Sequence, residues 1–243
     1  VLGINKSIER EGQDRFSLEL PVDQQEFIKE LYKVNPNTVV VLVAGSSMAV
    51  NWMDENVPAI LNAWYPGEQG GNAVAEVLFG DYNPGGRLPL TYYNSLDEIP
   101  AFDNYSVKGR TYQYFEGQPL YEFGYGLSYT KFRYKSKGVN VEQDTVKVSF
   151  EVSNTGKYDG DEVAQVYVKY PETGTYMPLK QLHGFKRVHI KKGKTSKVTI
   201  GVPKKDLRYW DEQERKFVTP KGEYTFMVGA SSEDIKFRET VGL

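Results

Sequence analysis

The chain has 243 residues, 40% hydrophobic and 26% charged, with a formal charge of −2. That composition is globular rather than disordered, no apolar run approaches the roughly 18 residues of a membrane span, and the near balance of Lys and Arg with Asp and Glu argues against nucleic acid as a partner. Cys is absent and His occurs only at His183 and His189, which excludes disulfides and thiolate catalysis and argues against a histidine triad or zinc site.

Val1-Leu2-Gly3-Ile4 is apolar, leads straight into charged residues and reads as the end of a buried strand. It carries neither the basic region nor the cleavage site of a signal peptide, so the chain is expected to be the downstream part of a longer protein. Pro21 opens a helix with Phe27, Ile28, Leu31 and Tyr32 on one face, and Asn35-Pro36-Asn37 breaks it. Thr38–Ala44 is a continuous β-branched run, as in a parallel strand covered on both faces. Ala59–Trp64 is a second short strand, and Ala73, Val74, Val77 and Leu78 form the next helical stripe. Strands alternating with helices predict a partial, mostly parallel, doubly wound α/β sheet over residues 1–95.

Residues 96–137 are aromatic, Gly-rich and irregular, and read as a connector packed between domains. From 138 to 243 the period changes to two. Val146, Val148, Phe150 and Val152 alternate with polar residues, as do Ala164, Val166 and Val168, then Val198, Ile200 and Val202, then Tyr224, Phe226 and Val228. Turn signals stand between them at Asn154-Thr155-Gly156, Lys191–Lys194 and Pro220-Lys221-Gly222. Short strands with regular turns over about 100 residues predict an immunoglobulin-like β-sandwich.

Few motifs carry chemistry. Ser46 and Ser47 follow a strand, but Ala44-Gly45-Ser46-Ser47-Met48-Ala49 lacks the nucleophile elbow G-x-S-x-G. Gly67–Gly71 precedes a helix without the spacing of a dinucleotide site or the Lys of a P-loop. The front segment Ile8-Glu9-Arg10-Glu11-Gly12-Gln13-Asp14-Arg15 follows a strand end, where α/β sheets bind ligands. A Glu flanked by Arg there can serve as a general acid, although a solvated charged loop accounts for the same residues.

Several stretches together resemble glycoside hydrolase family 3. Pro66-Gly67-Glu68-Gln69-Gly70-Gly71, continued by Leu78–Thr91 with its Asn83-Pro84-Gly85-Gly86-Arg87-Leu88-Pro89, is similar to the family's C-terminal α/β-sandwich domain. Phe123-Gly124-Tyr125-Gly126-Leu127-Ser128-Tyr129-Thr130 resembles the junction to its fibronectin type III-like domain. Val152–Gly156, Gly160–Val168, Leu182-His183-Gly184-Phe185 and Gly229–Ser232 resemble that last domain.

The resemblance implies a retaining, exo-acting β-glycosidase without cofactor or metal, acting on oligosaccharides. Its nucleophile would be an Asp on an N-terminal barrel domain that this sequence does not contain. The general acid/base would be a Glu of the α/β domain. The Glu-Gly-x-Asp-Arg pattern maps onto Glu11-Gly12-Gln13-Asp14-Arg15, making Glu11 the first choice and Glu9 the second, with Asp14 and Arg15 as an ion pair holding the loop. Gly109–Tyr121 and Ile8–Glu11 look more like the β-xylosidase branch than the β-glucosidase branch, with α-L-arabinofuranosidase side activity open. Glu122 departs from the family, which has Pro before Phe-Gly. Composition leaves localisation open, while the resemblance implies a periplasmic or secreted protein. The readings from other classes are a non-catalytic carbohydrate-binding module, with residues 110–129 gripping glycans, and a structural module.

Overall fold

The computed structural model describes residues 1–243, which fold as two compact units. The first comprises residues 1–82, 90–109 and 116–121. Its sheet has three parallel strands, β1 (Leu2–Gly3), β2 (Val39–Val43) and β3 (Ala59–Asn62), with Leu2 opposite Leu42 and Val40 opposite Ile60. Helix α1 (Val22–Val34) lies between β1 and β2 in the chain, α2 (Asn51–Asn56) between β2 and β3, and α3 (Gly70–Phe79) follows. Strand order follows chain order, so the reversal that defines a doubly wound sheet does not occur among these strands.

Local chemistry explains the boundaries. Asp23 in the first turn of α1 and Lys33 in the last complement the helix dipole. Asn35, held extended before Pro36, ends the helix. Helix α2, not anticipated, is too short to show a periodic stripe and is held by one buried residue, Met53. Val40, Leu42, Ile28, Met48 and Met53 join Leu2 and Ile4 in one core. Phe27 and Leu31, expected on the inner face of α1, stay open to solvent, as do Leu78 and Phe79 of α3.

Residues 90–121 add aromatic packing to this unit. Tyr92 and Tyr121 pair as an isolated antiparallel bridge, and the Tyr121 hydroxyl donates to Asp54 Oδ1 at 2.6 Å. Asn62 Nδ2 donates to the buried Tyr92 hydroxyl at 2.9 Å. Burial pushes the Tyr92 phenol up to about 12, against the Asn62 hydrogen bond, which lowers it.

The second unit comprises residues 83–89, 110–115 and 122–243. A short helix α4 (Thr111–Tyr114) precedes a β-sandwich of strands β4 (Phe132–Val141), β5 (Thr145–Asn154), β6 (Gly160–Lys169), β7 (Gln181–Ile190), β8 (Thr195–Pro203), β9 (Tyr209–Asp211), β10 (Lys216–Val218), β11 (Glu223–Gly229) and β12 (Ile235–Gly242). One sheet has the order β12-β11-β6-β7, the other β4-β5-β8, and β9-β10 is a separate hairpin. The alternating residues 146–152, 164–168, 198–202 and 224–228 point into one shared core. Buried Asn154 ties its edge, donating to the Tyr158 and Ile190 carbonyls and accepting from Thr130 Oγ1.

The stretch read as irregular is more ordered than its composition suggested. It holds a 3-10 turn at Leu96–Glu98, helix α4 and the start of β4. Two of the rings in residues 110–129 turn inward within the second unit: Tyr112 stacks on Phe123 at 4.3 Å and meets Tyr167 edge-on. The unusual Glu122 accepts a hydrogen bond from Ser231 Oγ at 2.8 Å, so a polar side chain has a local partner where proline would have none. Arg87 Nη2 pairs with Glu162 Oε2 at 2.7 Å, and the Tyr134 hydroxyl donates to Glu162 Oε1 at 2.6 Å. Burial, then the Glu162 carboxylate, raises the Tyr134 phenol well above its ordinary value.

Neither histidine stands in a triad. His189 pairs with Asp161, and His183 Nε2 lies 2.9 Å from the Tyr170 hydroxyl. Burial pulls the His183 imidazole below its ordinary value, and the Asp206 charge opposes this only in part. A group depressed on folding adds stability above its unfolded value, near 6.5, and loses it as pH falls through the lower folded value. Urea denaturation is therefore expected to show stability declining as pH drops below about 6.5. His183→Gln should flatten that slope, and an unchanged slope in the variant would contradict this origin.

Candidate active site

The carboxyl edge of a parallel sheet gathers the loops that leave each strand, and here three loops meet. The first leaves β1. Asn5 closes a side-chain turn by accepting from the Ser7 backbone N–H, and its carbonyl accepts from the backbone N–H groups of Ile8 and Glu9. This fixes the backbone of Glu9. Residues 10–13 then form a tight turn, with Arg10 and Gln13 exchanging backbone hydrogen bonds across Glu11-Gly12. Gly12 has φ 74°, a left-handed conformation that a residue with Cβ adopts at a cost.

That turn decides the fates of the two candidate acids. Glu11 sits at its tip, exposed, with no hydrogen-bond or ion-pair partner for its carboxylate. Glu9 lies at the base, where the turn folds residues 14 and 15 back beside it. Arg15 Nε donates to Glu9 Oε2 at 2.5 Å, with the two side chains 8% and 23% exposed. The expected Asp14–Arg15 ion pair is absent. Asp14 is exposed, and the partner of Arg15 is Glu9, six residues back across the turn.

The second loop leaves β2 and supplies Ser46. Its hydroxyl donates to Glu9 Oε2 at 2.6 Å and accepts from Arg15 Nη2 at 2.8 Å. The same Nη2 donates to the Ser47 carbonyl at 2.8 Å, and Nη1 reaches Met48 Sδ at 3.2 Å. Arg15, Glu9 and Ser46 thus close a ring of hydrogen bonds on one carboxylate oxygen. Oε1 of Glu9 has no partner in the structure.

The third loop leaves β3 through Trp64, whose φ of 54° is strained for an aromatic residue. Such strain persists where surroundings over-determine the backbone, often at functional edges. The next residue, Tyr65, donates its hydroxyl to the Ile4 carbonyl at 3.3 Å, and its ring lies over Gly45. A Cβ on Gly45 would stand 2.6 Å from Tyr65 Cε2, so the ring and the backbone before Ser46 fit only with glycine there. No group of three or more acidic or His side chains is placed to hold a metal ion.

Sequence reasoning singles out this segment and both carboxylates as candidates but does not pair Glu9 with Arg15 or Ser46. By its place after a strand Ser46 reads only as a nucleophile candidate, whereas in the structure its hydroxyl holds a carboxylate. The two-residue turn at Glu11-Gly12 pairs residue 10 with 13 and returns the chain toward Glu9, but that register by itself sets Asp14 rather than Arg15 against Glu9.

Comparison with known proteins follows the same division. Residues 1–129 match the glycosyl hydrolase family 3 C-terminal domain, and residues 162–232 match the fibronectin type III-like domain. The chain is 43% identical over 225 residues to a xylan 1,4-beta-xylosidase of Xylanibacter ruminicola, covering 92% of this chain and 26% of that protein. It is 38% identical to a beta-glucosidase of Kluyveromyces marxianus, covering 97% of this chain and 30% of that protein. A crystal structure of beta-glucosidase from K. marxianus in complex with glucose superposes on the whole chain with a TM-score of 0.93 at 36% identity, using 31% of that chain. Beta-glucosidase from Bifidobacterium adolescentis superposes with a TM-score of 0.92 at 33% identity, covering 100% of this chain and 38% of that one. The chain thus spans about a quarter to a third of the length of these curated relatives.

Proposed function

The chain belongs to glycosyl hydrolase family 3 by its C-terminal domain, and on that premise we propose that it is the acid/base-bearing part of an exo-acting, retaining β-glycosidase. The nucleophile is an Asp on a barrel domain upstream of residue 1. The acid/base is Glu9, with Glu11 as the second candidate. The observation that carries this reading is the fixing of Glu9 at the carboxyl edge of the sheet, with one oxygen held by Arg15 and Ser46 and the other left open. Retaining enzymes need their two carboxyl groups about 5–5.5 Å apart. A carboxylate locked on its own domain meets that demand better than one at the tip of an exposed turn.

A β-xylosidase is favoured over a β-glucosidase. Gly109–Tyr121 resembles the xylosidase branch, and identity to the X. ruminicola xylosidase exceeds identity to the K. marxianus glucosidase. The complete enzyme is expected to hydrolyse aryl β-xylosides faster than aryl β-glucosides, with the β-anomer of the sugar formed first, as followed by proton NMR. An α-anomer would overturn the retaining mechanism, and a reversed preference would overturn the xylosidase assignment. Residues 1–243 alone are expected to show no turnover of either substrate, because half of the carboxyl pair is missing. Turnover by the purified chain would refute the division of the pair between two domains.

A further inference from the structure

Glu9 and its two partners specify more than the identity of the acid. We infer that Arg15 and Ser46 are positioning residues that reserve Oε1 of Glu9 for proton transfer. This inference rests on the reading of Glu9 as the acid/base. Oε2 already accepts from Arg15 Nε and from Ser46 Oγ, so both of its in-plane lone pairs are used. The proton to be donated therefore resides on Oε1. The side chain cannot exchange its oxygens without breaking two hydrogen bonds, one of them charge-assisted.

The chemistry then balances at named atoms. In the first step the proton on Oε1 passes to the glycosidic oxygen as the bond from that oxygen to the anomeric carbon breaks. The upstream carboxylate forms a bond to the same carbon, and Glu9 is left ionised. In the second step a water oxygen attacks that carbon, the bond to the upstream carboxylate breaks, and Oε1 takes the proton of the water. Negative charge appears on Glu9 during the first step and disappears during the second. The Arg15 guanidinium, fixed at Oε2, is stabilising where the charge appears. It therefore assists the departure of a poor leaving group more than it assists attack by water. Ser46 acts with it, since its hydroxyl accepts from Arg15 Nη2 and donates to the carboxylate, coupling the loops after β1 and β2.

Leaving-group dependence in the complete enzyme tests this. Arg15→Gln and Ser46→Ala should lower kcat/KM for alkyl β-glycosides by roughly ten- to a hundredfold, the range of one hydrogen bond to a charged group. Dinitrophenyl β-glycosides, whose leaving group needs no proton, should be cleaved almost as fast as by the parent in the first step. Ser46→Thr should restore much of the alkyl activity, because the hydroxyl is retained. Equal losses on both substrate classes would mean a merely structural role and would overturn the inference. Should Arg15→Gln fail to fold, Ser46→Ala, which removes only one oxygen, decides the question. Glu9→Gln separates the two levels. If it leaves alkyl glycoside hydrolysis intact, the assignment of Glu9 itself fails. If it shows the selective loss, with azide restoring turnover of the dinitrophenyl substrate, while the Arg15 and Ser46 variants do not, only the positioning role fails.

Discussion

Glu9→Gln in the complete enzyme is expected to lower turnover of glycosides with poor leaving groups by on the order of 10²–10⁴, the usual contribution of a positioned general acid. Glutamine keeps the size and the oxygen that Arg15 and Ser46 hold, so the loop stays in place while the transferable proton is lost. Glu11→Gln is expected to change the same rate little, since the Glu11 carboxylate is exposed and touches no other polar group. Steady-state rates on methyl and aryl glycosides measure both. A severe loss in Glu11→Gln with an active Glu9→Gln would reverse the assignment.

The second large effect concerns stability. Arg87 and Glu162 form an ion pair with side chains only 8% and 3% exposed, and Tyr134 bonds the remaining carboxylate oxygen. Removing one member of such a pair leaves the other charge buried without compensation, at a cost of about 3–5 kcal/mol. Arg87→Met should therefore shift the denaturation midpoint of the chain strongly. Glu162→Gln should also shift it strongly, because the Arg87 guanidinium then stays buried without a counter-charge, although the amide can still hydrogen-bond Arg87 and Tyr134. The double variant Arg87→Met with Glu162→Leu should recover much of the loss, since a well-packed apolar pair often matches a buried ion pair. Equal midpoints for the parent and Arg87→Met would show that water reaches the site.

Period-two alternation exposed the sandwich clearly, because Val146, Val148, Phe150 and Val152 bury one face and leave the other polar. The parallel strand at Val39–Val43 was equally clear from its unbroken apolar run. Strands β7 and β12 were harder. In β12, Ile235, Phe237, Glu239 and Val241 share one face, and the Glu breaks the apolar series although it bonds Ser136. The connector hid its order because its residues are held by rings and side-chain hydrogen bonds between distant positions, such as Tyr121 with Asp54. At the candidate site the carboxylates were visible as residue types. Which of them is held depends on a hairpin register and on a serine 37 positions away, and neither shows in local periodicity.

Helices α1 and α3 have one last consequence. Phe27 and Val34 on the first and Phe79 on the second present apolar side chains to water, Val34 and Phe79 at 84% and 85% exposure. Patches of this kind favour self-association in solution. Purified alone, the polypeptide should behave as a sticky colloid: monodisperse when dilute, clouding on concentration, and salted out early by sulfate, which strengthens apolar burial. Its shelf life in a tube would then be limited by those few rings and branched chains rather than by the tightly knit sandwich beside them in the sequence.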